Sequence, residues 1–146
     1  MNETTLGSVR AELEEALVGQ RFGRIFPLTR RQIAIDFRLP DSRYLFIATE
    51  PGSPRIYLIE RRHKDLEKNS GNLLPFHLLL KRHLSGAELL SIEKLPGERI
   101  LIFNFAAESE VGVTSRPKLA VQLTGRSSNL FLIDPTDSLS ALSSKH

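Results

Sequence analysis

Apolar residues along this chain change their spacing several times, and each change marks an element. Over residues 5–18, Leu6, Val9, Leu13, Ala16 and Leu17 recur at helical spacing while Glu12, Glu14 and Glu15 fall off the stripe. The pattern predicts an amphipathic helix with a solvated acidic face, capped by Asn2 or Thr4 and stopped at Gly19. Residues 21–28, 31–39, 42–49 and 54–60 then read as four strands. The second alternates most plainly, with Ile33, Ile35 and Phe37 on one face and Gln32, Asp36 and Arg38 on the other. A short link at Thr29-Arg30 and turn chemistry at Leu39-Pro40-Asp41-Ser42 and Glu50-Pro51-Gly52-Ser53 predict an antiparallel meander.

Residues 61–72, RRHKDLEKNSGN, are poor in apolar side chains and read as a surface loop. A second helix is predicted over 75–85. Pro75 suits its first turn, Phe76, Leu79, Leu80 and Leu84 share a face, His83 falls within that face, and Gly86 ends it. AELLSIEKL (87–95) and ERILIFNF (98–105), on either side of Pro96-Gly97, read as a hairpin. Residues 107–116 form a polar connection. Two further strands, 117–125 and 129–135, are joined by Gly125-Arg126-Ser127-Ser128, and a Ser-rich tail occupies 136–146. About eight strands and two helices, with hairpins dominating, predict an α+β domain: an antiparallel β-sandwich or open barrel with an N-terminal helix and one central helix.

Composition narrows the class. A chain of 146 residues, 40% hydrophobic and 25% charged, suits one globular domain with a real core. The absence of cysteine excludes disulfides, thiolate zinc sites and cysteine nucleophiles. No apolar run approaches the roughly 18 residues of a membrane span. The opening MNETTLGSVRAELEEAL is polar and acidic, unlike a secretory signal, so a cytoplasmic location is expected. The net charge of +3 is mild, but 14 of the 20 basic residues are Arg, whose guanidinium forks onto phosphate and stacks on bases. That tilts the reading towards nucleic acid.

No Walker loop, dinucleotide fingerprint, nucleophile elbow or zincin helix is present. His63, His77, His83 and His146 do not stand at metal-ligand spacing with carboxylates, so no metal, cofactor or catalytic group is expected. Arg61, Arg62, His63 and Lys64 form a basic cluster that serves either as a solvated linker or as a phosphate contact. Lys81 and Arg82 point away from the apolar face of their helix, and Lys81 lies one turn from His77, within joint reach of a phosphate. His83 reads as a core histidine rather than a ligand. Glu98-Arg99 opens a strand directly after a tight turn. From the residues alone it is a surface ion pair worth at most about 1 kcal/mol.

Four stretches together carry a family resemblance: ELEEALVGQRFGRIF, LFIATEPGSPRIYL, PFHLLLKRHLSGAELLSIEKLPGERILIFNF and KLAVQLTGRSSNLFLID. They resemble the NFACT-N domain, the N-terminal region of fibronectin- or fibrinogen-binding A proteins (FbpA) and of RqcH-like ribosome quality control factors. The resemblance covers residues 5–135. It implies a domain over 1–135 and a tail, 136–146, that is the cut end of a longer protein. It also implies a fold similar to the N-terminal domain of formamidopyrimidine-DNA glycosylases. The implied function is a non-catalytic platform that helps recruit tRNA to stalled large ribosomal subunits for C-terminal tailing.

On that reading Arg99 forks onto a tRNA phosphate or stacks on a base, and Glu98 orients it. Arg126 and Asn129 make a second polar contact, or simply hold a turn. Lys81, Arg82, Arg61 and Arg62 touch phosphates without regard to sequence. The family pattern has Asp-Arg where this chain has Glu98-Arg99, and an Asp near the N-terminus where it has Asn2, which keeps a hydrogen bond or helix cap but loses a charge. Two other functions follow from the family's names and fold relatives. One is a surface protein that binds fibronectin or fibrinogen, which the missing secretion signal disfavours. The other is a DNA glycosylase-like enzyme, disfavoured because no Pro precedes Glu3 and no zinc-binding cysteines exist.

Overall fold

The computed structural model describes residues 1–133 and the backbone of 141–143, the Ser127 side chain excepted. An N-terminal helix, α1 (Glu3–Leu17), leads into a meander of four antiparallel strands: β1 (Ile25–Thr29), β2 (Gln32–Ile35), β3 (Arg43–Ala48) and β4 (Arg55–Glu60). Two helices follow, α2 (His63–Asn69) and α3 (Pro75–Leu84). The remaining strands are β5 (Glu88–Lys94), β6 (Ile100–Glu108), β7 (Thr114–Ser115), β8 (Lys118–Gln122), β9 (Asn129–Ile133) and β10 (Ala141–Ser143). They form a second antiparallel sheet in the order β10-β9-β8-β6-β5, with the short β7 paired to the far end of β6.

The two sheets share one core. Alternation along each strand sends Ile33, Ile35, Leu45, Ile47 and Ile56 inward from the meander, and Leu101, Phe103, Phe105, Leu119 and Val121 inward from the second sheet. At its centre Phe22, Phe37 and Phe105 pack as a triad. Phe22 lies edge-on to both others with ring centroids 5.8 Å apart, and Phe37 stacks on Phe105 at 6.4 Å. Helix α1 buries Leu6, Leu13 and Leu17 and packs against β5 and β4. Helix α3 packs against β1 and β6. The expected α+β architecture is therefore the observed one.

Residues 19–22 stitch the sheets together. Gly19 and Phe22 donate to the carbonyls of Leu89 and Ala87, while Gly86 and Leu89 donate back to those of Phe22 and Gln20. The chain then passes under Asp36. Gly23 N–H donates to the Asp36 carbonyl at 2.7 Å and Asp36 N–H to that of Arg24 at 2.9 Å. A β-carbon at Gly23 would overlap that carbonyl oxygen, so the crossing requires glycine.

Several expectations are corrected. Residues 63–69 are helical rather than loop. Helix α2 presents a single apolar residue, Leu66, which is buried with Phe26, Tyr44 and Phe46 in a second core on the outer face of the meander. His63 packs edge-on against Phe26 at 5.5 Å. In α3 the buried histidine is His77, not His83, which is only half-buried. The polar connection 107–116 contributes residues to β6 and β7. The first strand begins at Ile25, because residues 21–24 serve the crossing just described. The tail 136–146 lies outside the described residues except for β10, whose backbone pairs with β9.

Candidate nucleic-acid interface

Glu98 and Arg99 stand on a corner fixed from three directions. Glu98 N–H donates to the Leu95 carbonyl at 3.1 Å, with Pro96 and Gly97 between them and Gly97 at φ +73°. Pro followed by a left-handed Gly is the signature of a type II turn. Leu95 N–H closes the loop onto the Ile100 carbonyl at 3.1 Å, and Leu123 N–H donates to the Arg99 carbonyl at 2.8 Å. The corner is thus tied to the end of β8.

The third tie comes from the start of the chain. Glu3 Oε1 accepts from Lys94 Nζ at 2.7 Å and from Gly97 N–H at 3.1 Å. The Lys94 hydrogen bond, with its positive charge, pulls the Glu3 carboxyl below its ordinary pKa, and the Gly97 bond adds to this. Asn2 caps α1, its Oδ1 accepting from Thr5 N–H at 2.7 Å. The first turn of α1 is therefore pinned against the β5–β6 turn. The pairing of Glu3 with Lys94 is not legible in the sequence, since a contact across 91 residues leaves no local signal.

Four of the nine residues expected to touch RNA gather here with Asn2. Glu98 is exposed and Arg99 half-buried. Strand pairing of Ile100 with Gln122, and of Gln122 with Asn129, brings the β8–β9 connection alongside. That connection holds a 3-10 turn, Gly125–Ser127, with Arg126 exposed on it. Asn129 is buried, and its Oδ1 accepts from Leu130 N–H at 2.9 Å. No ion pair joins Glu98 to Arg99 among the described residues, and no carboxylate there pairs with Arg99 or Arg126.

The other four sit elsewhere. Arg61 and Arg62, both exposed, link the end of β4 to the start of α2, and the Arg62 side chain makes no cap bond to that helix. Lys81 and Arg82 are exposed on the last turn of α3. Lys81 lines an open cleft of about 820 Å³ with Arg24, Arg38 and His63, facing Asp36. Arg38 is held in a left-handed conformation, φ +59°, by a bond from its N–H to Asp36 Oδ1 at 2.7 Å. His77 opens onto a different cleft, between α3, the β1–β2 turn and Leu130, so it does not share a phosphate with Lys81. His77 Nδ1 accepts from Leu74 N–H at 3.1 Å, and burial pushes the imidazole below its ordinary pKa. Among the described residues no group of three or more His, Asp and Glu is placed to hold a metal ion, and no helix is long and apolar enough to cross a membrane.

Residues 2–144 match the family profile described as NFACT N-terminal and middle domains. The chain belongs to this NFACT family. Among curated relatives it is 26% identical over 136 residues to the Rqc2 homolog RqcH of Bacillus subtilis, covering 92% of this chain and 23% of that protein. Among solved structures it superposes at TM-score 0.85 on the N-terminal part of the fibronectin/fibrinogen-binding protein of Streptococcus suis, with 26% identity over 97% of this chain and 52% of that one. The N-terminal domain of the fibronectin-binding protein PavA of Streptococcus pneumoniae superposes equally well, at 0.85, with 24% identity over 98% of this chain and 53% of that one. The NFACT fold is thus shared across nearly the whole chain, which spans under a quarter of the curated relative and about half of each solved chain.

Proposed function

We propose that this NFACT domain is a non-catalytic RNA-binding platform that contributes to tRNA recognition on large ribosomal subunits, within a cytoplasmic ribosome quality control factor. The observation that carries the reading is the corner itself. The backbone that carries Arg99 is fixed by a type II turn, by the Glu3 bond to Gly97 and by the Leu123 bond to the Arg99 carbonyl, and no carboxylate pairs with its guanidinium among the described residues. A half-buried guanidinium on a fixed turn, with no carboxylate partner and with the exposed Arg126 on the neighbouring β8–β9 connection, is suited to phosphate or base recognition. The similarity to the Schizosaccharomyces pombe ribosome quality control complex subunit 2, 27% identical over 100 residues, supports it. Glu98 orients Arg99 or accepts from a base edge. Lys81, Arg82, Arg61 and Arg62 supply phosphate contacts on other faces.

The test is a tRNA-binding titration of wild type and Arg99→Ala at two salt concentrations. A loss of at least about 1 kcal/mol in the variant, beyond the general salt effect, supports the platform. Equal binding by both proteins makes the corner purely structural. A second reading rests on the names of the two solved relatives, fibronectin or fibrinogen binding. Saturable binding of immobilised fibronectin by this domain, with no tRNA binding, would favour it.

A further inference from the structure

The outer face of the meander is only partly covered. Strand register puts Phe46 opposite both Ala34 and Tyr57, Ala48 opposite Gln32 and Arg55, and Tyr44 opposite Ile59, so these side chains share the face turned away from the main core. Helix α2 covers one end of it, through Leu66 and His63. It ends at Asn69 and leaves an open groove of about 390 Å³ over the other end.

The floor of the groove is aromatic. Phe46 and Tyr57 lie with ring centroids 5.3 Å apart at 42°, and Tyr57 remains 39% exposed. Arg55 extends over Phe46 at 5.5 Å and is steadied by Glu50, 3.1 Å away, which also accepts from Gln32 at 2.7 Å. Arg61 stands at another wall, bonded to the Glu60 carbonyl at 2.8 Å and to no carboxylate among the described residues. Gln32 and Asn69 each use one carboxamide N–H on a neighbour and complete the lining, together with Asp65.

We propose that this groove binds an unpaired nucleobase of RNA, stacked on Tyr57, with its flanking phosphates on Arg61 and Arg62. The inference rests on the RNA-binding reading above and adds a second contact surface to it, on the other sheet from the Glu98-Arg99 corner. An exposed ring offers its π-face to any base, flanking arginines supply the phosphate charge, and carboxamides can meet a base edge. The volume suits a single base rather than a duplex. The mixture of ring and guanidinium is complementary to a stacked base carrying negative phosphates, whereas an apolar peptide would leave the Arg61 guanidinium facing it with no carboxylate partner.

The chain has two tyrosines and no tryptophan, and Tyr44 is buried beneath α2, so tyrosine emission reports quenching at Tyr57. Titrating wild type with a short single-stranded oligoribonucleotide should quench that emission, whereas a blunt RNA duplex should not. Tyr57→Ala should weaken the labelled oligonucleotide roughly 5- to 100-fold, and Tyr57→Phe should restore it. Absence of quenching, or equal oligonucleotide binding by Tyr57→Ala, overturns the groove. If tRNA binding then still depends on Arg99, the corner stands without the groove. If tRNA binding is absent as well, both readings fall. Quenching by a fibronectin fragment but not by RNA overturns the proposal in favour of a protein partner.

Discussion

Replacing Gly23 by alanine adds one methyl group where the chain crosses beneath the Asp36 carbonyl. Gly23 does not have a positive φ, so its backbone conformation suits alanine. Conformational entropy alone would then make the variant more stable by about 0.4–1 kcal/mol. Space says the opposite, because the new carbon falls inside contact with the Asp36 oxygen. Relief requires residues 23–24 and 36 to part, losing the bonds of 2.7 and 2.9 Å, at about 1 kcal/mol each. Phe22 and Phe37 flank the crossing, and loosening their 5.8 Å contact costs about 1 kcal/mol more. The net is about 2–3 kcal/mol, or a fall in melting temperature of roughly 6–9 °C for a chain of this size. Urea and thermal denaturation of Gly23→Ala measure it. Gly7→Ala is the control, since Gly7 lies inside α1 with open space around it and should gain about 0.5–1 kcal/mol. A Gly23→Ala protein as stable as wild type refutes the close-approach argument.

Asn2→Ala removes the acceptor for Thr5 N–H and should cost about 1 kcal/mol in urea denaturation, whereas Asn2→Asp keeps the cap, favours the helix dipole and should be neutral or stabilising. Burial depresses the His77 pKa, so the unfolded chain takes up a proton there before the folded one does. Its contribution to stability should be constant above pH about 6.5 and should decline as pH falls from there towards the folded-state value. His77→Gln should flatten that part of the stability–pH curve, and an unchanged slope would show that the imidazole is not the group responsible.

What the sequence disclosed follows from the range of the interactions involved. The Pro96-Gly97 turn was legible because its chemistry is contained in two adjacent residues, and the meander because Ile33 and Ile35, like Leu45 and Ile47, alternate on strands joined by short turns. Helix α2 was not legible. Seven residues with one apolar side chain cannot display a period, and its support comes from Phe26 and Tyr44, far away in sequence. In α3 the choice between His77 and His83 turns on a small rotation of the helix. Packing against β1 and β6 buries Phe76, His77, Leu80 and Leu84 and leaves Leu79 and His83 at the margin. At the candidate corner the turn and its Arg were visible, but the Glu3 tie that fixes them was not. Arg38's left-handed backbone was hidden as well, although Asp36, two residues before it, is a common side-chain acceptor for such a turn.

The bond from Gly97 N–H to Glu3 spans 94 residues, and this separation governs when the corner can exist. Helix α1 and the meander can gain structure from nearby contacts, whereas joining Glu3 to Gly97 must first meet the entropy of closing a long loop. The same holds for the stitch between residues 19–22 and 86–89. The groove draws only on residues 28–69, whereas the corner needs residue 3 joined to residue 97. The two proposed RNA contacts therefore differ in contact order: the groove is built from neighbouring strands and α2, the corner from the two ends of a 94-residue loop.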